Sequence, residues 1–183
     1  QQSFASSLEH LQTDYLDAYL LHGPASGQGL LAADWEVWRA MEALQKVSAV
    51  RLIGVSNVNA GQLQALLEQA EVKPAFVQNR CYARTGWDAQ VRSLCQAHGI
   101  RYQGFSLLTA NARELQQPAC LQMAQRKGCS VAQLVFRFAL QVGMIPLTGT
   151  SQQAHMQADL AVYDQQALNP EELALLLGLS EPG

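Results

Sequence analysis

Charge is scarce in this chain. Asp, Glu, Lys and Arg make up 15% of its 183 residues, and 12 basic against 15 acidic side chains leave a formal net charge of -3. With a pI near 5.8 there is no basic surface to exchange for the counterions of a nucleic acid, so no nucleic-acid partner is expected. No apolar run approaches the roughly 20 residues that a membrane helix needs, so no membrane partner is expected either. The opening Gln1-Gln2-Ser3-Phe4-Ala5 has no basic segment ahead of an apolar one, which excludes a signal peptide, and it lacks an initial Met, which fits a fragment or a trimmed chain. The four cysteines (Cys81, Cys95, Cys120, Cys129) form no C-x-x-C pair, and the four histidines (His10, His22, His98, His155) have no i, i+4 pair. No metal site is expected from such spacings, and the thiols read as reduced core residues of a cytoplasmic protein. The clustered carboxylates of a barrel hydrolase or lyase are also missing from the strand ends.

What is present is an alternation. Strands are predicted at Leu16 to Leu21, Val50 to Ser56, Ala75 to Gln78, Ile100 to Ser106 and Met144 to Thr148. Between them lie helical patterns: Asp34 to Lys46, with Val37, Trp38, Met41 and Leu44 on one face and Glu36, Arg39 and Glu42 on the other; a helix opening at Asn59 with Gln62 in capping-box spacing; Ala89 to Ala97, closed by Gly99; Cys120 to Arg126; and a helix capped by Ser130 and Gln133. A last helix starts at Asn169-Pro170-Glu171-Glu172. Strands alternating with helices imply parallel βαβ units, and with no linker or repeat the simplest organisation is one domain over residues 1–183.

The segment Asp14 to Leu21 ends in His22 and stops at Gly23-Pro24, a buried strand delivering an imidazole to its C-terminal end. Val50-Arg51-Leu52-Ile53-Gly54-Val55-Ser56-Asn57 ends in two small polar residues, which an amide-bearing ligand could use or which could simply form a turn and N-cap. Gln78 closes the third predicted strand and Phe105-Ser106 the fourth. His, Ser-Asn, Gln and Phe-Ser on consecutive strand ends is how a barrel builds an active site.

On these residues the chain resembles the aldo-keto reductases, from Ser7-Leu8-Glu9-His10-Leu11 to Leu160. The resemblance implies an α/β fold of the (β/α)8 barrel type, here about five consecutive βα units: an incomplete barrel, the C-terminal portion of the domain, with open edges through which copies could associate. It implies reduction of an aldehyde or ketone by NAD(P)H, with NADP(H) ahead of NAD(H). His22 would be the catalytic residue that polarises the carbonyl. Residues matching Ser56, Asn57 and Gln78 hydrogen-bond the nicotinamide carboxamide, the position of Phe105 is a tyrosine that stacks on its ring, and Ser106 and Leu108 match positions along the pyrophosphate. Ile145-Pro146-Leu147-Thr148-Gly149-Thr150-Ser151 and His155-Met156 match the last cofactor motif, adding Gly149, Thr150, His155 and Asp159.

The pattern also departs from the family. Val58 stands where Phe or Tyr is usual, Leu107 for Pro, Gly149 for Lys, His155 for Arg and Asp159 for Asn. The grip on a ribose phosphate is therefore weakened, since His155 adds charge only when protonated, although helix N-terminal N–H groups still hold phosphate. The family's acid is a tyrosine tuned by a lysine and an aspartate, all expected upstream of Gln1; Tyr82 and Tyr102 match no such position. The fragment alone is expected to be inactive. The rival is a non-catalytic nucleotide-binding or regulatory relative. The substrate-side loops (Ala25 to Ala33, Ala83 to Asp88, Thr109 to Pro118) name no substrate; Trp87 either lines an apolar pocket or packs on the neighbouring helix.

Overall fold

The computed structural model describes residues 2–179; Gln1 and residues 180–183, the two ends of the expected domain, lie outside the described residues. In chain order the elements are α1 (Gln2–Leu11), β1 (Leu16–Leu21), α2 (Ala32–Lys46), β2 (Val50–Ser56), α3 (Ala60–Gln69), β3 (Phe76–Arg80), α4 (Ala89–Ala97), β4 (Arg101–Phe105), α5 (Pro118–Arg126), α6 (Val131–Gln141), β5 (Met144–Pro146), α7 (Gln153–Leu160) and α8 (Pro170–Leu177). The strands form one five-stranded sheet in the order β1-β2-β3-β4-β5. β1 with β2, β2 with β3 and β4 with β5 run parallel.

This topology corrects the expected incomplete barrel. The residues build a five-stranded parallel sheet with eight α-helices among the described residues, its strands side by side in sequence order. Alternating βα units dictate parallel pairing and right-handed crossovers. The incompleteness was implied by the resemblance and not by this alternation, which specifies the pairing and nothing about the number of units.

Two compact units divide the contacts: Gln1–Gln78 with Ser93–Arg101, and Asn79–Arg92 with Tyr102–Gly183. The boundary runs through β3, α4 and β4.

In the first unit the core is Trp38 and Met41 of α2, Ile53 and Val55 of β2, Leu63 and Leu66 of α3, and Val77 of β3. Apolar periodicity chose these faces, with one exception in α2. Val37 is 44% exposed, whereas Glu42 is only 5% exposed. The Glu42 carboxylate accepts the Val72 N–H at 2.9 Å, and the Trp38 Nε1–H donates to the Val72 carbonyl at 3.2 Å. Both backbone polar groups of one loop residue are thus satisfied by α2, which makes burial of that carboxylate tolerable. The expected capping box of α3 forms, with the Asn59 side chain accepting from the Gln62 N–H. α1 was not anticipated; it lies against β1, where the Phe4 and Tyr19 rings meet edge to face at 5.7 Å.

The second unit is organised by α6, whose Leu134, Val135, Phe138 and Ala139 are buried. Ser130 and Gln133 cap it as expected, and Asn169 with Glu172 cap α8 in the same way. Trp87 is fully buried: its ring sits 5.0 Å from that of Phe138 and its Nε1–H donates to the Leu176 carbonyl at 2.7 Å. Of the two readings of Trp87, packing is the one realised. α7 escaped the periodicity reading because none of its residues is buried, so it has no apolar stripe to find. β5 stops at Pro146, two residues short of expectation.

Candidate functional site

In the first unit, three parallel strands bring the expected carboxamide-binding residues and the histidine together. Ser56 is the last residue of β2 and pairs in register with Gln78 of β3. Its hydroxyl donates to the Gln78 carbonyl at 2.6 Å, and the Asn57 N–H donates to the same oxygen at 3.1 Å. The Asn57 side-chain amide reaches across to the end of β1 and donates to the His22 carbonyl at 2.8 Å. His22 itself is exposed immediately beyond β1. Gln78 does not close its strand, as β3 runs on to Arg80. Asn57 has a φ of +54°, the left-handed region that Asn tolerates better than most residues.

Gly54 lets β2 and β3 approach this closely. A Cβ there would stand 2.7 Å from the Phe76 carbonyl oxygen and 3.0 Å from the Phe76 Cβ. The loop beyond His22 is tied down by two side chains that sequence reasoning did not single out for this role. Asp34 accepts the N–H groups of Ala25 and Leu31 at 2.9 and 2.8 Å, and the buried Gln62 donates to the carbonyls of Ser26 and Gly29 at 2.7 and 2.9 Å. Gln62 carried a visible signal, its capping spacing, but that signal spoke only for the helix.

In the second unit a cavity of about 740 Å³ is lined by Phe105, Ser106, Leu108, Gly149, Thr150, His155 and Asp159, every cofactor residue expected from this unit. Gln133 and Phe136 of α6, Ser130 and Leu147 also line it. That volume lies within the range of about 300–1,000 Å³ that small-molecule sites occupy. The Thr148 hydroxyl donates to Asp159 Oδ2 at 2.7 Å, the Gln152 N–H donates to Thr150 Oγ1 at 3.1 Å, and Thr150 Oγ1 lies 3.4 Å from His155 Nδ1. Ser106, like Asn57, sits in left-handed backbone, with φ +55°. The donor set suits a dinucleotide: a flat aromatic face, hydroxyls, and a glycine beside which nothing stands within 4 Å of a would-be Cβ.

A buried amide holds the floor of this unit. Asn111 is fully buried; its Oδ1 accepts the Ala83 N–H at 2.6 Å and its Nδ2 donates to the carbonyls of Cys81 and Leu107 at 3.0 and 2.8 Å. It fixes the chain leaving β3 against the chain leaving β4. Nothing in the local pattern around Asn111 signals this.

Tyr102 is only 2% exposed, and its hydroxyl donates to Asp88 Oδ2 at 2.8 Å, an oxygen that also accepts from Asn79 Nδ2 at 2.8 Å. Burial, then the neighbouring Cys81 thiol and Asp88 carboxylate, push the Tyr102 phenol above its ordinary range. It is a structural donor, not a proton source at neutral pH. Burial likewise pushes the Cys81 thiol up to about 12. Cys81, Cys95 and Cys120 are buried free thiols, and Cys129 is half-buried. Among the described residues no three His, Cys, Asp or Glu side chains gather to hold a metal, and no helix is long and apolar enough to cross a membrane.

Known proteins share this architecture. An aldo/keto reductase from Brucella melitensis superposes with a TM-score of 0.86 at 27% identity, covering 98% of this chain and 66% of its own. The aldose reductase of Schistosoma japonicum gives 0.84 at 26%, covering 99% and 64%. Among curated proteins, an uncharacterized oxidoreductase (YtbE) and a glyoxal reductase, both of Bacillus subtilis, are 34% and 33% identical over 88% of this chain. The Aldo/keto reductase family model matches residues 1–181, and the chain belongs to that family. The family match takes in residues 1–181 and the superpositions 98% and 99% of the chain, which overturns the expectation of a C-terminal portion of the barrel. The chain spans 55% and 56% of the length of those two curated relatives.

Proposed function

We propose that this chain is an oxidoreductase domain that uses a nicotinamide dinucleotide to reduce an aldehyde or ketone. The observation that carries the reading is the cavity of the second unit, where Phe105, Ser106, Leu108, Gly149, Thr150, His155 and Asp159 come together. Phe105 offers its ring as a stacking face. Thr150 and the N–H groups opening α7 offer hydrogen bonds to phosphate oxygens. When bound, the dinucleotide supplies the hydride.

In the first unit, the Ser56 hydroxyl donates its hydrogen bond to the Gln78 backbone carbonyl, so its oxygen is left to accept from a carboxamide N–H. Asn57 has given its amide to His22, which leaves Asn57 Oδ1 as an acceptor. The exposed His22 imidazole donates an N–H to a substrate carbonyl oxygen, orienting and polarising it. One family model over residues 1–181 supports treating both units as a single domain.

A second reading, nucleotide binding without turnover, is favoured by the buried tyrosine of the second unit's core, Tyr102, whose hydroxyl is committed to Asp88.

The test measures dinucleotide binding by quenching of Trp fluorescence and, separately, dinucleotide oxidation with a panel of aldehydes that includes glyoxal, after which one relative is named. Binding that weakens about tenfold or more in Phe105→Ala, with turnover lost in His22→Ala, supports the reductase. Binding with no turnover on any carbonyl leaves the second reading standing. Absence of binding rejects both.

A further inference from the structure

We infer that the cavity of the second unit takes a dinucleotide whose ribose is unphosphorylated, NADH in preference to NADPH, with Asp159 as the residue that decides. The inference rests on the reading of this cavity as a dinucleotide site, and it reverses the preference that the sequence resemblance implies.

The charges lining the cavity carry the argument. His155 and Asp159 are its ionisable side chains, and no Lys or Arg is among the described residues that line it. The pyrophosphate is common to both ligands and does not separate them. An additional phosphate brings nearly two further negative charges. No guanidinium or ammonium waits for it in the cavity lining, and a carboxylate is already there.

The placement of that carboxylate matters as much as its sign. Asp159 is half-buried in the last turn of α7, where it is fixed by the Thr148 hydroxyl, which donates to Oδ2 at 2.7 Å. Oδ1 is left to accept. A ribose diol supplies the two O–H donors that a fixed carboxylate accepts, whereas a phosphate supplies acceptors. The same side chain thus favours one ligand and repels the other, which is how a site separates two molecules that differ by a single group.

The cavity also has room for the missing cation. At Gly149 nothing stands within 4 Å of a would-be Cβ, and its backbone needs no left-handed φ. A Cβ is therefore accommodated there without displacing a neighbour.

The experiment is a pair of equilibrium titrations of the protein, with NADH and with NADPH, repeated at two salt concentrations. A parallel pair uses ADP-ribose and its 2′-phosphorylated form, so that the result does not depend on the nicotinamide. The unmodified protein is expected to bind the unphosphorylated ligand of each pair at least tenfold more tightly. Asp159→Asn should narrow that ratio severalfold by removing the repulsion, and Gly149→Lys should narrow or invert it by adding a partner for the phosphate, with the inversion weakening as salt rises. Equal or tighter binding of the phosphorylated ligand by the unmodified protein overturns the inference and leaves the dinucleotide reading intact. Failure to bind any of the four ligands overturns the dinucleotide reading, and the inference with it. The comparison on unmodified protein stands even if a variant does not fold.

Discussion

The side-chain amide of Asn57 donates to the backbone carbonyl of His22 across 2.8 Å. The residue just beyond the second strand thus fixes the peptide that carries the imidazole just beyond the first. Asn57 does so from a left-handed backbone, φ +54°, so two properties of one residue are in use and can be separated. Asn57→Gly keeps the backbone and loses the hydrogen bond; it should cost about 1 kcal/mol in urea denaturation. Asn57→Val loses both and should cost about 2–3 kcal/mol, since a β-branched residue is strained at that φ. Equal losses for the two variants would show that the backbone conformation is not a constraint.

Gly54→Ala is predicted to be among the most damaging substitutions of a small residue. Its Cβ would stand 2.7 Å from the Phe76 carbonyl oxygen, a backbone atom that cannot swing away as a side chain can. The strands must separate, at a cost of about 3 kcal/mol. Thermal unfolding reads the effect directly, and a melting temperature within a degree of the parent would refute the close approach.

These two positions show how unevenly the sequence speaks. The caps at Asn59, Ser130 and Asn169 were legible because each is a local rule, a spacing of three residues. The residues that hold the candidate site are legible only in part. Ser56 and Asn57 announced themselves by ending an apolar run, but Asn111 joins Cys81 to Leu107, and Glu42 reaches Val72, partners up to about thirty residues away. A buried polar residue whose partners are backbone groups of distant loops has no signature in its own neighbourhood. Glu42 was placed on a solvent face for that reason. The expected incomplete barrel came from the resemblance and from no local rule, and it is that incompleteness which the five strands, paired side by side in one sheet, correct.

Trp87→Phe isolates one hydrogen bond in the core of the second unit. The indole Nε1–H donates to the Leu176 carbonyl at 2.7 Å, anchoring the end of α8. Phe keeps an aromatic ring against Phe138 and removes the indole donor, leaving that carbonyl to backbone donors such as the Leu179 N–H at 3.3 Å. The expected loss is about 1–3 kcal/mol, with hydrogen exchange accelerated in α8 before the rest of the unit opens. Unchanged protection in α8 would contradict the anchor.

Stability should fall at both ends of the pH scale for separable reasons. The Asn169 N–H, and then the Lys127 ammonium at 3.1 Å, hold the Glu172 carboxyl below its ordinary value of 4.5. A depressed folded value means that this contribution is present above the ordinary value and is lost as pH falls through the folded one. Glu172→Gln should therefore flatten the acid limb. Burial raises the Cys81 thiol from 9.0 to about 12. A raised folded value means that stability is intact below pH 9 and declines as pH rises toward 12, and Cys81→Ala should flatten that alkaline limb. Urea midpoints measured from pH 3 to pH 11 test both limbs, and an alkaline limb identical in Cys81→Ala would place its cause elsewhere.

Ser106 occupies left-handed backbone, φ +55°, on the rim of the cavity. A left-handed conformation costs an L-residue about 1–2 kcal/mol that glycine escapes. For folding alone, glycine is the better occupant. A library randomised at position 106 and sorted only for abundance should enrich glycine, while the same library sorted for ligand capture should return serine. The gap between the two enrichments is a currency-free measure of what this hydroxyl does that the fold does not require.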